Sequence, residues 1–189
     1  MGKIVVTEFM SLDGVMEAPG GDDGFVRGQW SFEFERGDEG NEFKGAETLE
    51  ADGLLLGRKT YEGFAAAWPE REGDPFADKF NSMPKYVVSS TLKDPDWGDT
   101  TVISGDVPAE LAKLRDEIDG YVIVHGSGQL VQTLIENDLV DELRLMVFPV
   151  VLGTGQKLFG DTDESKKFKV TDFRTVGDDG VTVQVYERI

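Results

Sequence analysis

Two glycine-bounded junctions carry the residue types that could hold an anion. In the first, Gly53-Leu54-Leu55-Leu56-Gly57-Arg58-Lys59-Thr60-Tyr61-Glu62, an apolar run stops at a glycine and is followed by two cations and a hydroxyl. An arginine can fork two hydrogen bonds onto a phosphate, and the unpaired amides of a starting helix can donate to another. The same residues also suit an ordinary strand-to-helix turn with Arg58 and Lys59 in water. In the second, Tyr121-Val122-Ile123-Val124-His125-Gly126-Ser127-Gly128-Gln129-Leu130, two glycines bracket a serine, as a pyrophosphate approaching backbone amides would require. A helix entry chosen only for tight packing is the alternative.

Other chemistries fit less well. Gly126-Ser127-Gly128 lacks the residue between serine and each glycine that a nucleophile elbow needs, and the three-glycine dinucleotide fingerprint is absent. With no cysteine and one histidine, thiolate catalysis, disulfides and multi-histidine metal centres are excluded. His125 is read as a buried strand end that satisfies a backbone group rather than as a catalytic base. Asp161, Asp163 and Glu164 resemble the start of a calcium loop, but Lys166 stands where its turn needs glycine, and no metal is expected.

The elements that must position these junctions follow from hydrophobic period. Strands are predicted over Lys3–Phe9, Gly53–Leu56, Lys85–Ser89, Thr101–Ser104, Tyr121–His125, Glu142–Pro149, Lys167–Val176 and Val181–Glu187. Leu54-Leu55-Leu56 and Val122-Ile123-Val124 are continuous, as in a sheet covered on both faces, whereas Val181, Val183 and Val185 alternate with polar residues. Helices are predicted over Asp38–Ala51, through Tyr61, Phe64, Ala65 and Trp68, over Pro75–Asn81, through Val107, Leu111, Leu114 and Ile118, and over Ser127–Glu136. The expected fold is a three-layer α/β/α domain with a mixed sheet and antiparallel C-terminal strands.

The 189 residues are 39% hydrophobic, enough for one domain spanning 1–189. A net charge of -18 would repel nucleic acid and anionic lipid, so neither is an expected partner. No apolar run approaches the roughly 20 residues that cross a bilayer, and the start of the chain has no signal-peptide pattern, so a cytoplasmic protein is expected.

The motifs together resemble the dihydrofolate reductase superfamily, in the branch formed by the reductase domain of bacterial riboflavin biosynthesis and its stand-alone relatives. The resemblance covers essentially the whole chain. It is carried by Ser11-Leu12-Asp13-Gly14, Leu55-Leu56-Gly57-Arg58-Lys59-Thr60-Tyr61-Glu62, Gly126-Ser127-Gly128-Gln129-Leu130 and Phe148-Pro149-Val150-Val151-Leu152-Gly153-Thr154-Gly155, in that order. It implies an eight-stranded, mostly parallel sheet that binds NADPH across the carboxyl ends of its strands. Arg58 with Ser89, Ser90 and Thr91 would hold the adenosine 2'-phosphate, which implies NADPH over NADH. Gly57, Lys59 and Thr60 would lie by the pyrophosphate, and Gly126, Ser127, Gly128, Gln129 and Leu130 would support the pyrophosphate and nicotinamide side. Ser11 through Trp30 matches a mobile loop that closes over the nicotinamide.

Hydride transfer also needs a proton. Asp13, beside the nicotinamide by resemblance, and Glu42, near the helix position where folate-reducing relatives carry a carboxylate, are the candidates, with Asp38 and Glu39 behind them. The implied activity is reduction of a small heterocycle, either dihydrofolate-like or a ribosylamino-pyrimidine as in 5-amino-6-(5-phosphoribosylamino)uracil reductase. A nucleotide-binding module of the same fold without turnover is the alternative. Relatives of this branch pair through C-terminal strands, which implies a homodimer.

Overall fold

In the computed structural model, residues 2–21, 24–71 and 73–189 are described. The strands are β1 (Lys3–Ser11), β2 (Gly53–Gly57), β3 (Lys85–Val88), β4 (Thr100–Ile103), β5 (Tyr121–His125), β6 (Glu142–Phe148), β7 (Phe168–Val176) and β8 (Val181–Arg188). The helices are α1 (Gly37–Leu49), α2 (Arg58–Ala67), α3 (Pro75–Ser82), α4 (Val107–Glu117) and α5 (Gly128–Glu136), with a short 3-10 turn at Trp30–Glu33. They form one eight-stranded sheet in the order β4-β3-β2-β5-β1-β6-β8-β7. Neighbours from β4 through β6 are parallel, and β8 runs antiparallel to both β6 and β7.

The continuous apolar runs are explained by burial on two faces. Leu55, Val122 and Val124 join Leu111 and Leu114 of α4 and Leu130, Val131 and Leu134 of α5 on one face. Leu54, Leu56 and Ile123 meet Tyr61 of α2 and Phe80 of α3 on the other. A period of two sends neighbours to opposite faces, so a strand buried on both sides has no polar position to show. The alternating valines of β8 face a third cluster with Trp30, Met146 and Phe148, while Thr182, Gln184 and Tyr186 turn away.

Boundaries moved by one or two residues for identifiable reasons. β6 stops at Phe148 because Pro149 has no amide to donate. Predicted strand residue Ser89 lies just past β3, where its hydroxyl accepts from the amides of Thr91 and Leu92 at 3.1 and 2.9 Å and turns the chain. Ser127 precedes α5 in the left-handed region, at φ 66°.

Candidate functional site

Register lines up the two junctions. Gly57 pairs with Val88, which sets Arg58 beside Ser89, and Leu55 pairs with Val124, so the glycine ends of β2 and β5 stand side by side. Ser89, Ser90 and Thr91 after β3, Gly57, Arg58, Lys59 and Thr60 after β2, and Gly126 to Leu130 after β5 therefore lie at the carboxyl ends of three adjacent strands.

The junctions are also bonded to each other. Ser127 Oγ accepts from the Gly57 amide at 2.7 Å and donates to Thr60 Oγ1 at 2.8 Å. A Cβ on Gly57 would come within 3.1 Å of that Oγ, and one on Gly126 within 3.1 Å of Thr60 Oγ1, so side chains there would wedge the two turns apart. A left-handed serine costs on the order of 1–3 kcal/mol, which the bridge offsets. Neither α2 nor α5 has a side-chain cap, so both present free amides at this edge. Arg58 is half exposed and pairs with Glu62 at 3.0 Å, an exposed contact worth little against a phosphate. Lys59 and Gln129 are exposed, while Gly128 and Leu130 are buried beneath the turn.

Neither candidate proton donor hydrogen-bonds to the residues of this edge. Asp13 accepts from Ser11 Oγ at 2.7 Å and from the amides of Leu152 and Gly153 at 3.0 and 2.7 Å. The Ser11 hydroxyl first, then those amides, hold its carboxyl down to about 2, so it is ionised at neutral pH and works as a clasp between loops. Glu42 is exposed on the solvent side of α1, as are Asp38 and Glu39. The inward acid of that helix is Glu47, which is 2% exposed.

The segment Ser11–Trp30, read as a mobile loop, is fastened along the residues described; Asp22 and Asp23 lie outside them. Met16 N–H donates to Gln156 O, Leu158 N–H to Gly14 O, and Val15 bridges Lys157. Trp30 is 2% exposed, packs edge-on to Phe148 and donates its indole N–H to Glu17 O. It is a core residue, and Leu12 and Val26, at 62% and 87% exposed, are the large apolar side chains left in solvent along the described part of the segment.

Sequence reasoning missed a polar cluster under the carboxyl end of β1. Lys44 Nζ donates to Thr7 Oγ1 at 2.6 Å, pairs with Glu47 and lies 5.0 Å from the Phe9 ring centre, and Thr7 donates to Glu47 Oε1 at 2.7 Å. Next to it, burial pushes the Glu8 carboxyl well up, and burial, with Lys44 adding to it, pushes the His125 imidazole well down. His125 does end a strand, but its Nε2 has no hydrogen-bond partner, contrary to the expected backbone contact. The available signal was the Lys44, Glu47 spacing of three on a helix with no clear apolar stripe.

The family model described as the RibD C-terminal domain matches residues 2–182. The chain belongs to the RibD C-terminal domain family. Within reach of this family, it is 34% identical to the Bacillus subtilis (strain 168) protein YyaP over 140 residues, 71% of this chain and 73% of that one. It is 30% identical to YwjB of the same organism over 177 residues, 93% and 92% of the two chains. A Shewanella sp. PV-4 protein named for riboflavin biosynthesis shares the fold at TM-score 0.78 and 24% identity, covering 99% of each chain. Dihydrofolate reductase from Enterococcus faecalis, a complex with NADP(H), shares it at TM-score 0.61 and 16% identity over 98% and 96%. At 24% and 16% identity these two likenesses show a shared fold. Among the described residues no helix is long and apolar enough to cross a membrane, and no cluster of metal-binding side chains occurs.

Proposed function

We propose that the protein is an NADPH-dependent reductase that transfers hydride to a small heterocycle of pteridine or ribosylamino-pyrimidine type, in the cytoplasm and as a homodimer. The observation that carries the reading is the Ser127 bridge, which joins two glycine turns and two uncapped helix starts into one continuous edge. The residues fit the cofactor. Free amides of α2 and α5 suit a pyrophosphate, the Thr60 hydroxyl keeps its own proton to donate, and Arg58 beside Ser89 suits a terminal phosphate. When bound, the nicotinamide supplies the hydride. The chain's own part is to hold the phosphates from three strand ends and to keep Gly57 and Gly126 bare for close approach.

Thermal unfolding with NADPH, with NADH and with neither tests this. A ligand at 100 times its Kd adds about 2.7 kcal/mol, a shift of several degrees for a chain of this size. NADPH should raise the midpoint and NADH much less. Arg58→Ala should weaken NADPH by roughly 10- to 100-fold, the worth of a charge-assisted phosphate contact, and leave NADH nearly unchanged. No rise with either cofactor would reject the reductase reading.

A further inference from the structure

Three buried side-chain atoms without hydrogen-bond partners fall on adjoining segments, Glu47 Oε2 and Thr48 Oγ1 on α1 and His125 Nε2 on β5. A fourth, Glu8 Oε1, belongs to the residue after Thr7 on β1, whose side chain leaves from the opposite face of the strand. Thr7 stands opposite His125 in register, and the residue after His125 is Gly126 of the proposed cofactor edge. Unmet buried groups are uncommon in proteins and mark sites with something left to bind or a proton left to move. Within this cluster Glu47 has a 1% exposed side chain and cannot reach a ligand, whereas the Lys44 side chain is 13% exposed. An ammonium has three protons to donate. Thr7 accepts one, Glu47 pairs with the charge, the Phe9 ring lies 5.0 Å away, and no further hydrogen-bond acceptor for the ammonium occurs among the described residues.

We propose that Lys44 is the proton donor of the reduction, with Glu47 and Thr7 as the residues that position it; this rests on the reductase reading above. Hydride adds to the carbon of a polarised C=N or C=O bond, the π pair moves to the heteroatom, and that atom takes a proton from the Lys44 ammonium. NADPH leaves as NADP+, and the neutral amine regains its proton from water at its exposed edge. Charged and titratable groups around Lys44 are Glu47 on α1, Glu8 on β1, His125 on β5 and Arg36, which lies 5.2 Å from the same Phe9 ring. Burial favours the uncharged forms of Glu8 and His125, and Glu47 is the acid that pairs with Lys44.

The test compares the unmodified protein, Lys44→Arg and Glu47→Gln, each with NADPH and a panel of dihydropteridines and ribosylamino-pyrimidines. Arginine keeps the charge and the pairing with Glu47 but releases no proton near neutral pH. Lys44→Arg should therefore fold, keep its NADPH-induced thermal shift and its KM for NADPH, and lose at least about 100-fold in kcat, the usual weight of a general acid. Glu47→Gln, which loses the ion pair that positions Lys44, should lower kcat while leaving the KM for NADPH unchanged, a split that a merely structural role would not produce. Lys44→Arg retaining more than a tenth of the activity would overturn the assignment and leave the reductase reading intact. NADPH binding without turnover in the unmodified protein would overturn both.

Discussion

Lys85 opens β3 with its side chain fully buried, its ammonium donating to Asn81 O at 2.9 Å and Met83 O at 2.8 Å and lying 4.5 Å from the Trp97 ring centre. Burial pulls it from 10.5 down to about 8, with Asp99 opposing. Between pH 8 and 10.5 the unfolded chain then binds a proton that the folded one does not, so stability rises with pH in that window. Tyr86 and Tyr121, pushed up by burial, oppose this only above their ordinary value of 10. The urea midpoint should increase from pH 7.5 to 9.5, equivalent to on the order of 1–3 kcal/mol, and Lys85→Met should lose that slope. A flat profile would mean that the carbonyl cage holds the charged form without penalty.

At the scale of elements, legibility followed how local the cause was. β2 and β5 could be read because a strand buried on both faces must be apolar throughout, and the glycine junctions because close turns demand bare backbone. The buried face of α1 was legible only at Phe43, which packs against the Trp30 cluster, since its fully buried residues are Gly40, Glu47 and Thr48, none a large apolar side chain. Asp13 looked like a turn residue or an acid because the amides it captures belong to Leu152 and Gly153, far along the chain. The Trp30 segment looked free for the same reason: its attachments at Phe148 and Gln156 are distant in sequence. Asp13→Ala removes the acceptor of both loop amides. It should lower the thermal midpoint by a few degrees and speed proteolysis within residues 12–17 and 150–158, while leaving NADPH affinity within about threefold. Loss of turnover with an unchanged midpoint would instead return Asp13 to the chemistry.

For the whole molecule, the sheet is covered on both faces over β2 and β5 but not at its C-terminal end. There, a groove of about 460 Å³ is lined by Met10, Leu143, Leu145, Phe159, Phe168 and Tyr186, and Val170 and Phe173 are 50% and 61% exposed nearby. This is the surface on which the proposed homodimer would form. Two copies of charge -18 repel, so dimerisation should strengthen as salt rises, and Phe173→Lys should give a monomer by light scattering. A monomeric unmodified protein at high salt would rule the dimer out. The strand order also governs how the chain comes together. Among the described residues β1 pairs with β5 and β6, with Lys3 against Tyr121 and Val5 against Glu142, so this strand waits for residues far downstream. Until β5 inserts between β2 and β1, Ser127 has no Gly57 to meet, so the proposed nucleotide edge cannot form before the central strands pair. Such non-local closure slows folding. A dinucleotide would therefore have no purchase on a nascent or half-assembled chain, and its capture would report that the central sheet is complete.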